Sequence, residues 1–307
     1  MRILAHVHTF NDEDVIDQIV EALLRQTRAL DGILVVDNAS SDGTLERPSL
    51  KQTTVVRNEE NLGTSGAVHR GMSFALEHGY DWVWLFDADS LPEPDALERL
   101  VELYAGFPAA LQDETAFVAC LHYNVGDGVP QYGCLFTASG HRPAKPLPQE
   151  RHCRCHFTIW SGCLYKLAAV RKIGLPNPDY VLDWGEGEYG YRVMKAGFKG
   201  FIDRRAVLRH NVRGYSSIIP AAVKLGPATF DFYDYAPIRC YYSARNMLYF
   251  VIYDRSQRSF WLIFRRALSI AKMTANFLVR PWNHGKQIAA CFRGIWHGLT
   301  GNIAARY

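Results

Sequence analysis

No stretch of this 307-residue chain holds the roughly 20 uncharged apolar residues that a membrane-spanning helix needs, so no such helix is expected in it. A secretory leader is also missing from view. The first residues, MRILAHVHTFNDEDV, hold only a short apolar run and turn acidic at Asp12. Cysteine is sparse: Cys120, Cys134, Cys153, Cys155, Cys163, Cys240 and Cys291 are odd in number and irregularly spaced. That pattern argues against a disulfide framework and leads us to expect thiols in a reducing cytosol. The one CxC, in His152-Cys-Arg-Cys155-His156, has no second pair to complete a zinc knuckle. No Gly-Lys-Ser/Thr follows a glycine loop and no G-x-G-x-x-G occurs, so neither a Walker loop nor a dinucleotide fingerprint is present. Internal repeats and low-complexity tracts are absent too. One more absence is local: from Arg255 to Tyr307 there are nine Lys or Arg and no Asp or Glu. The remaining residues then carry 25 basic against 31 acidic groups, so an acidic body joins a strongly basic tail.

What is present is a well-mixed globular composition, 48% hydrophobic and 21% charged, in a chain long enough for a large core. Apolar runs at Arg2–His8, Gly32–Asp37, Thr53–Arg57 and Asp81–Phe86 read as strands. Val15–Leu24 has apolar residues at helical spacing, and Ser65–His78 reads as a helix ended by Gly79. Pro92 and Pro94 are expected to open a helix that runs to about Tyr104. Strands alternating with helices predict an α/β fold with a doubly wound, mostly parallel sheet. Ligands of such sheets bind beyond the carboxyl ends of the strands, and Thr9, Asp37, Asn58 and Asp87 all fall at predicted strand ends. Gly126–Gln149, with Pro130, Pro143, Pro146 and Pro148, reads as a long loop. From Tyr241 onward the chain becomes helical and aromatic.

Several groups carry chemistry. Asp87-Ala88-Asp89 follows an apolar strand, and two carboxylates there suit either a Mg2+ or Mn2+ held against a diphosphate or a solvated turn with a helix cap. Asp37, ending VVDNASSDGT, is placed to accept hydrogen bonds from a nucleobase or ribose, or to close an Asx turn. Asn61-Leu-Gly63-Thr-Ser-Gly66 offers backbone for close approach to a ligand, and Arg70 offers a partner for phosphate. In Asp183-Trp184-Gly-Glu186-Gly-Glu188-Tyr-Gly-Tyr-Arg192, clustered carboxylates suit a general base or an acidic helix start paired with Arg192. His210 follows a strand-like run and is either a metal ligand or a structural histidine.

In order along residues 3 to about 215, these motifs resemble glycosyltransferase family 2, the inverting enzymes of GT-A fold. The resemblance rests on the first strand with Thr9, VVDNASSDGT, NEENLGTSGAVHRG, GYDWVWLFDADSLPEPDAL, WSGCLYKLAAVRKIGLP and LDWGEGEYGYRVMKAGF. It implies that Thr9, Asn11, Asp37, Asn61, Gly63, Arg70, Asp87 and Ala88 face the nucleotide-sugar donor. Asp89, with Asp87 and His210, would hold Mn2+ or Mg2+, and Trp160, Ser161, Gly162 and Trp184 would face the acceptor. Glu186 stands where the family usually has the catalytic Asp, with Asp183 and Glu188 as rivals for the base. The implied reaction moves a sugar from a UDP- or dTDP-linked donor to a hydroxyl of a glycan or lipid-linked glycan. The motifs look most like the branch that adds rhamnose or galactofuranose.

The expected division is a GT-A catalytic domain over residues 1–215, with a donor half to about 115 and an acceptor and base half from 116, then a helical extension over 216–307. A nucleotidyltransferase would want a basic glycine-rich loop after the first strand, and here that loop is acidic, Asn11-Asp-Glu-Asp14. A non-catalytic nucleotide-sugar-binding scaffold should have lost the acidic pair or the base, and both are present. In the tail, Phe260, Trp261, Ile263, Phe264, Leu268 and Phe277 interleave with Arg265, Arg266, Lys272 and Arg280, and Trp282, Phe292 and Trp296 with Lys286 and Arg293. This pattern suits helices at an anionic membrane surface, which would put the protein in the cytoplasm at the inner face of the plasma membrane. It suits equally an extension that packs on the catalytic domain or on a second subunit of a homo-oligomer. Nucleic acid is not an expected partner, since the body is acidic.

Overall fold

The computed structural model describes residues 1–126, 128–138, 140–147, 149–210, 218–225, 228–233, 235–254, 260–278 and 284–307; of 218–225, 228–233, 260, 261, 273 and 276–278 it describes the backbone alone. Pro148, Arg280, Trp282, the expected boundary at residue 215 and the side chains of Phe260, Trp261 and Phe277 therefore lie outside the described residues. The chain divides into two compact units, Met1–Val181 with Gly185–Asn211, and Leu182–Trp184 with Val212–Tyr307.

The first unit is built on one sheet. Its elements are β1 (Ile3–Thr9), α1 (Ile16–Leu24), β2 (Gly32–Asp37), β3 (Thr54–Arg57), α2 (Gly63–Glu77), β4 (Trp82–Asp87), β5 (Ser90–Pro92), α3 (Ala96–Ala105), α4 (Ala109–Glu114), β6 (Thr115–Asn124), β7 (Pro130–Gln131), β8 (Cys134–Thr137), β9 (Gly140–Pro143), β10 (His152–Cys155), β11 (Cys163–Lys166), α5 (Leu167–Ile173), α6 (Gly185–Lys195) and β12 (Lys199–His210). The main strand order is β10-β12-β6-β11-β4-β1-β2-β3, with β5 on β12 and β7 on β6. β1 pairs in parallel with β2 and β4, β2 with β3, and β6 with β12, whereas β11 runs antiparallel between β4 and β6. β1, β2, β3, β4, β6 and β12 thus share one direction, and their carboxyl ends share one edge.

Residues alternate across the strands, so the two faces bury different sets. Ile3, Ala5, Val7, Trp82, Trp84 and Phe86 pack with α1 and α3 on one face. Leu4, Leu34, Val36, Val83 and Leu85 pack with Ala67, Val68, Met72 and Ala75 of α2 on the other. Both faces of the central strands are covered, which is why these strands read as continuous apolar runs.

Two expectations need correction. Pro92 does not open a helix. It ends β5, a short strand antiparallel to the end of β12, and the helix begins four residues later at Ala96. Proline is tolerated there because β5 is a three-residue flank of the sheet rather than a central strand. Nor is Gly126–Gln149 a plain loop: β7 pairs antiparallel with the end of β6, and β8 and β9 pair as a hairpin.

In the second unit, β13 (Ile218–Leu225) and β14 (Ala228–Tyr233) form a hairpin. Then come α7 (Pro237–Tyr249), a π-helical turn over Phe250–Asp254, α8 (Phe260–Leu278) and α9 (Gly285–Leu299). Its helical core holds Ala244, Leu248 and Ile270, with Met247, Ile252 and Ile295 against them. α9 meets α7 through glycines: a β-carbon on Gly294 would stand 2.3 Å from the Tyr241 carbonyl oxygen, and one on Gly298 2.7 Å from that of Arg245. Among the described residues no helix is long and apolar enough to cross a membrane.

Candidate functional site

The carboxyl edge of the sheet collects most of the polar residues singled out in the sequence. Parallel register sets Thr9 beside Asp37, Asp37 beside Arg57, and His8 beside Asp87. Asp37 is fully buried, accepts both of its nearest hydrogen bonds from the Ser40 amide at 3.2 Å, and has Arg57 Nε at 3.4 Å. Thr9 is buried and donates its hydroxyl to Asp12 at 2.9 Å. Asn11, with φ of 57°, accepts from the Ser41 amide at 2.8 Å and so pins the β1 loop to the β2 loop.

A chain of side-chain hydrogen bonds ties the next motif to these ends. Arg70 Nη1 on α2 donates to Asn58 at 2.7 Å, Asn58 donates to Asn38 at 2.8 Å, and Asn38 donates to the Gly63 carbonyl at 3.3 Å. Asn61 accepts from the Gly63 amide at 2.8 Å. The glycine at 63 has a reason other than ligand approach. Its φ is +69°, and a β-carbon would stand 2.2 Å from the Val181 carbonyl oxygen.

The acidic pair sits at the end of β4. β5 follows at once, and its pairing with β12 puts Ser90 opposite His210. That pairing brings a residue 120 positions from Ser90 back to the acidic pair: Ser90 Oγ is 2.6 Å from His210 Nδ1, which is 3.5 Å from Asp89 Oδ1. Asp87, Asp89 and His210 each offer one ligand atom, all within 4.8 Å of one another, the one such grouping among the described residues. Two hard carboxylates and one imidazole make a donor set that fits Mn2+ or Mg2+ and leaves positions for phosphate oxygens and water.

Behind this group stand residues the sequence reading passed over. His8 Nε2 lies 2.8 Å from Asp87 Oδ1. Burial disfavours charge on His8, but the Asp87 charge and hydrogen bond, with Asp12 and Asp89, outweigh it and raise its pKa above the usual 6.5. For Asp87, burial acts upward, and the charge and hydrogen bond of His8, with His210 and His122, overcome it and bring the carboxyl down to about 2. Asp87 is thus an ionised carboxylate at neutral pH. His122 donates Nε2–H to the Ser161 carbonyl at 2.5 Å, and burial lowers its pKa to about 4. The signal for His8 was the His6-x-His8 alternation, which puts both rings on one face of a buried strand.

Trp160, Ser161 and Gly162, expected at the acceptor, are buried beside the sheet. Ser161 Oγ accepts the Asp87 amide at 3.1 Å, and Gly162 O accepts Trp84 Nε1 at 3.2 Å. All of Ser161 and nearly all of Trp160 are buried. Trp184 belongs to the second unit, stacked on Phe250 with the Arg266 guanidinium over its ring at 4.7 Å.

The three candidate bases divide between the two units. In the second unit, Asp183 accepts from Arg239 Nη2 at 2.7 Å and from the Ser243 hydroxyl, at φ of 61°. Glu188 is buried and held by Arg192 at 2.5 and 3.1 Å. Glu186, half-buried, lies in the first turn of α6. Gly185 lets that turn start against α2, where a β-carbon would meet Ser65 Oγ at 2.0 Å.

A model of the family described as Glycosyl transferase family 2 matches residues 5–174. The chain belongs to this family. It is 36% identical over 203 residues to the galactofuranosyltransferase GlfT1 of Mycobacterium tuberculosis, a stretch covering 64% of this chain and 65% of that protein. It is 34% identical over 110 residues to an undecaprenyl-phosphate mannosyltransferase of Micrococcus luteus, 33% of this chain and 44% of that one. The chain therefore spans less than two thirds of these relatives' lengths. Among solved structures, a mannosyltransferase from Pyrobaculum calidifontis in complex with GDP-Man and Mn2+ aligns with a TM-score of 0.56 at 15% identity, covering 97% of this chain and 87% of that one. GalNAc-T7 with UDP, GalNAc and Mn2+ aligns at 0.58 and 16% identity, over 69% of this chain and 44% of that one. The family member described here thus has the GT-A fold expected from its motifs.

Proposed function

We propose that this family 2 member is an inverting, metal-dependent glycosyltransferase that moves a sugar from a UDP- or dTDP-linked donor to a hydroxyl of a glycan or lipid-linked glycan. The observation that carries the reading is the convergence of Asp87, Asp89 and His210 at the carboxyl edge of a family 2 sheet. The donor nucleotide lies along that edge, its base or ribose at Asp37 and its phosphates within reach of Arg70. Asp87, Asp89 and His210 would hold Mn2+ or Mg2+, which, when bound, supplies positive charge to the departing diphosphate. His8 and the Ser161 hydroxyl orient the Asp87 end of the set through the bonds above.

Glu186 is the general base. Its carboxylate takes the proton of the acceptor hydroxyl as that oxygen attacks the anomeric carbon opposite the diphosphate. The bond to the diphosphate oxygen breaks as the new glycosidic bond forms, and the anomeric centre inverts. Glu186 stands where the family usually has the catalytic Asp, with Asp183 and Glu188 as rivals for the base. Glu is one methylene longer than the usual Asp, so the helix start must sit correspondingly further from the acceptor. The likeness to GlfT1 favours galactofuranose over rhamnose as the sugar, and action on a lipid-linked glycan would place the protein at the inner face of the plasma membrane.

A panel of UDP-, dTDP- and GDP-sugars, each with Mn2+, Mg2+ or EDTA, tests this. Metal-dependent turnover of a UDP- or dTDP-sugar is expected. Absence of both turnover and metal-dependent binding with every donor would overturn the reading, and binding without turnover would favour a non-catalytic scaffold. Glu186→Gln should keep donor binding and lose transfer; an active variant places the base elsewhere.

A further inference from the structure

α9 sorts its residues onto two faces. Ala290, Cys291, Gly294 and Gly298 are buried. The opposite face carries Lys286, Ala289, Phe292, Arg293, Trp296 and Leu299, all exposed. Phe292 is 61% exposed, Trp296 65% and Leu299 50%. A helix that meets only water places polar groups on that side, and one packed on a neighbour hides its rings. α8 repeats the arrangement. Leu262, Ile270 and Thr274 are buried, whereas Phe264 and Leu268 are 48% and 46% exposed, beside the exposed Arg265 and Lys272. Rings and cations thus share the outward faces of two helices of one compact unit, in a segment that holds nine basic residues and no Asp or Glu of its own.

We propose that these faces dock on an anionic lipid bilayer. Phe292, Trp296, Leu299, Phe264 and Leu268 enter the boundary between headgroups and acyl chains, and Lys286, Arg293, Arg265 and Lys272 meet lipid phosphates. Charge selects the bilayer over a second copy of the chain. A two-fold interface on this patch would bring the same cations face to face, with no carboxylate of residues 255–307 to separate them. A lipid surface supplies negative charge and an apolar layer together, and tryptophan favours that boundary.

The full chain is mixed with vesicles of phosphatidylcholine, alone or with phosphatidylglycerol, without donor or metal, and sedimented. Because no sugar transfer is measured, the outcome is separate from that of the proposed reaction. Binding is expected with phosphatidylglycerol only, and raised salt should release the protein. Lys286→Glu with Arg293→Glu should weaken partitioning at least about 25-fold, each cation contributing about fivefold. Phe292→Ser with Trp296→Ser should abolish sedimentation while circular dichroism and the unfolding midpoint stay as in the parent, because these side chains are exposed. The proposal is overturned if the parent ignores phosphatidylglycerol, if it binds neutral vesicles equally well, or if the serine variant sediments like the parent. It is overturned equally if sedimentation equilibrium shows a dimer that the serine variant dissolves.

Discussion

Gly71, in the middle of α2, is a position where alanine should by helix propensity add about 1 kcal/mol of stability. The structure reverses that sign. A β-carbon on Gly71 would stand 2.2 Å from Cδ2 of His6 and 2.7 Å from its Cγ and Nε2. His6 is fully buried on β1, and burial, the main influence on it, brings its pKa to about 3, so the ring is neutral. It cannot swing toward solvent, and it lies stacked on His8 with centroids 5.8 Å apart. A methyl group forced into a packed core costs about 1–3 kcal/mol, and a 2.2 Å approach belongs at the upper end. After the propensity gain, Gly71→Ala should destabilise the protein by about 1–2 kcal/mol, read as a lower urea midpoint at unchanged slope. In a His6→Ala background the methyl has room, and the same substitution should stabilise by about 1 kcal/mol. Because His6 leans on His8 and His8 on Asp87, the single variant should also bind Mn2+ more weakly. If Gly71→Ala is as stable as the parent, or costs the same in both backgrounds, His6 is not what the methyl meets and the reasoning fails.

Asp89→Asn should leave the fold intact and weaken Mn2+ binding by at least tenfold, measured from the free-ion signal in electron paramagnetic resonance. An unchanged affinity would remove Asp89 from the ligand set. Glu188→Gln should act on stability, costing about 1.5–3 kcal/mol as the charge-assisted bonds to Arg192 are lost, with donor binding retained. If it instead abolishes transfer in a protein of parental stability, Glu188 is the base. Asp17 is bonded by Ser49 and by Arg47, whose Nε lies at 2.7 Å, and these contacts hold its pKa below the usual 3.8. A depressed folded value stabilises above the unfolded pKa and is lost as pH falls below it. Asp17→Asn should therefore lower the melting temperature at pH 7 and converge with the parent toward pH 2–3; a constant gap across that range would refute the assignment.

Much of the sheet's carboxyl edge was legible because it depends on local pattern alone. GILVVD and DWVWLFD announce strands buried on both faces, and a polar residue ending such a strand must lie at the sheet edge. Asp37 and Asp87 could be placed on that ground before any pairing was known. The charge and ring content of the tail was legible for the same reason, since composition does not depend on topology. Which of its rings face outward was not. Phe292 and Trp296 are exposed because Gly294 and Gly298 turn the other side of α9 toward α7, a pairing between segments some fifty residues apart.

What stayed hidden depends on pairing across long separations. Pro92 looked like a helix start because the strand it ends is three residues long and gains its partner only from β12. That same pairing makes His210 a neighbour of Asp89, so the error about Pro92 and the ambiguity of His210 have one cause. Trp160-Ser-Gly162 shows the converse. A loop of aromatic, hydroxyl and glycine reads alike whether it lines a cleft or closes the end of a strand. Here the amide of Asp87 needs an acceptor, and Ser161 Oγ supplies it from a fully buried position. The serine that looked like an acceptor contact holds the backbone of a metal-ligand candidate. Replacing it by alanine should therefore disturb divalent-cation binding before it disturbs recognition of any acceptor.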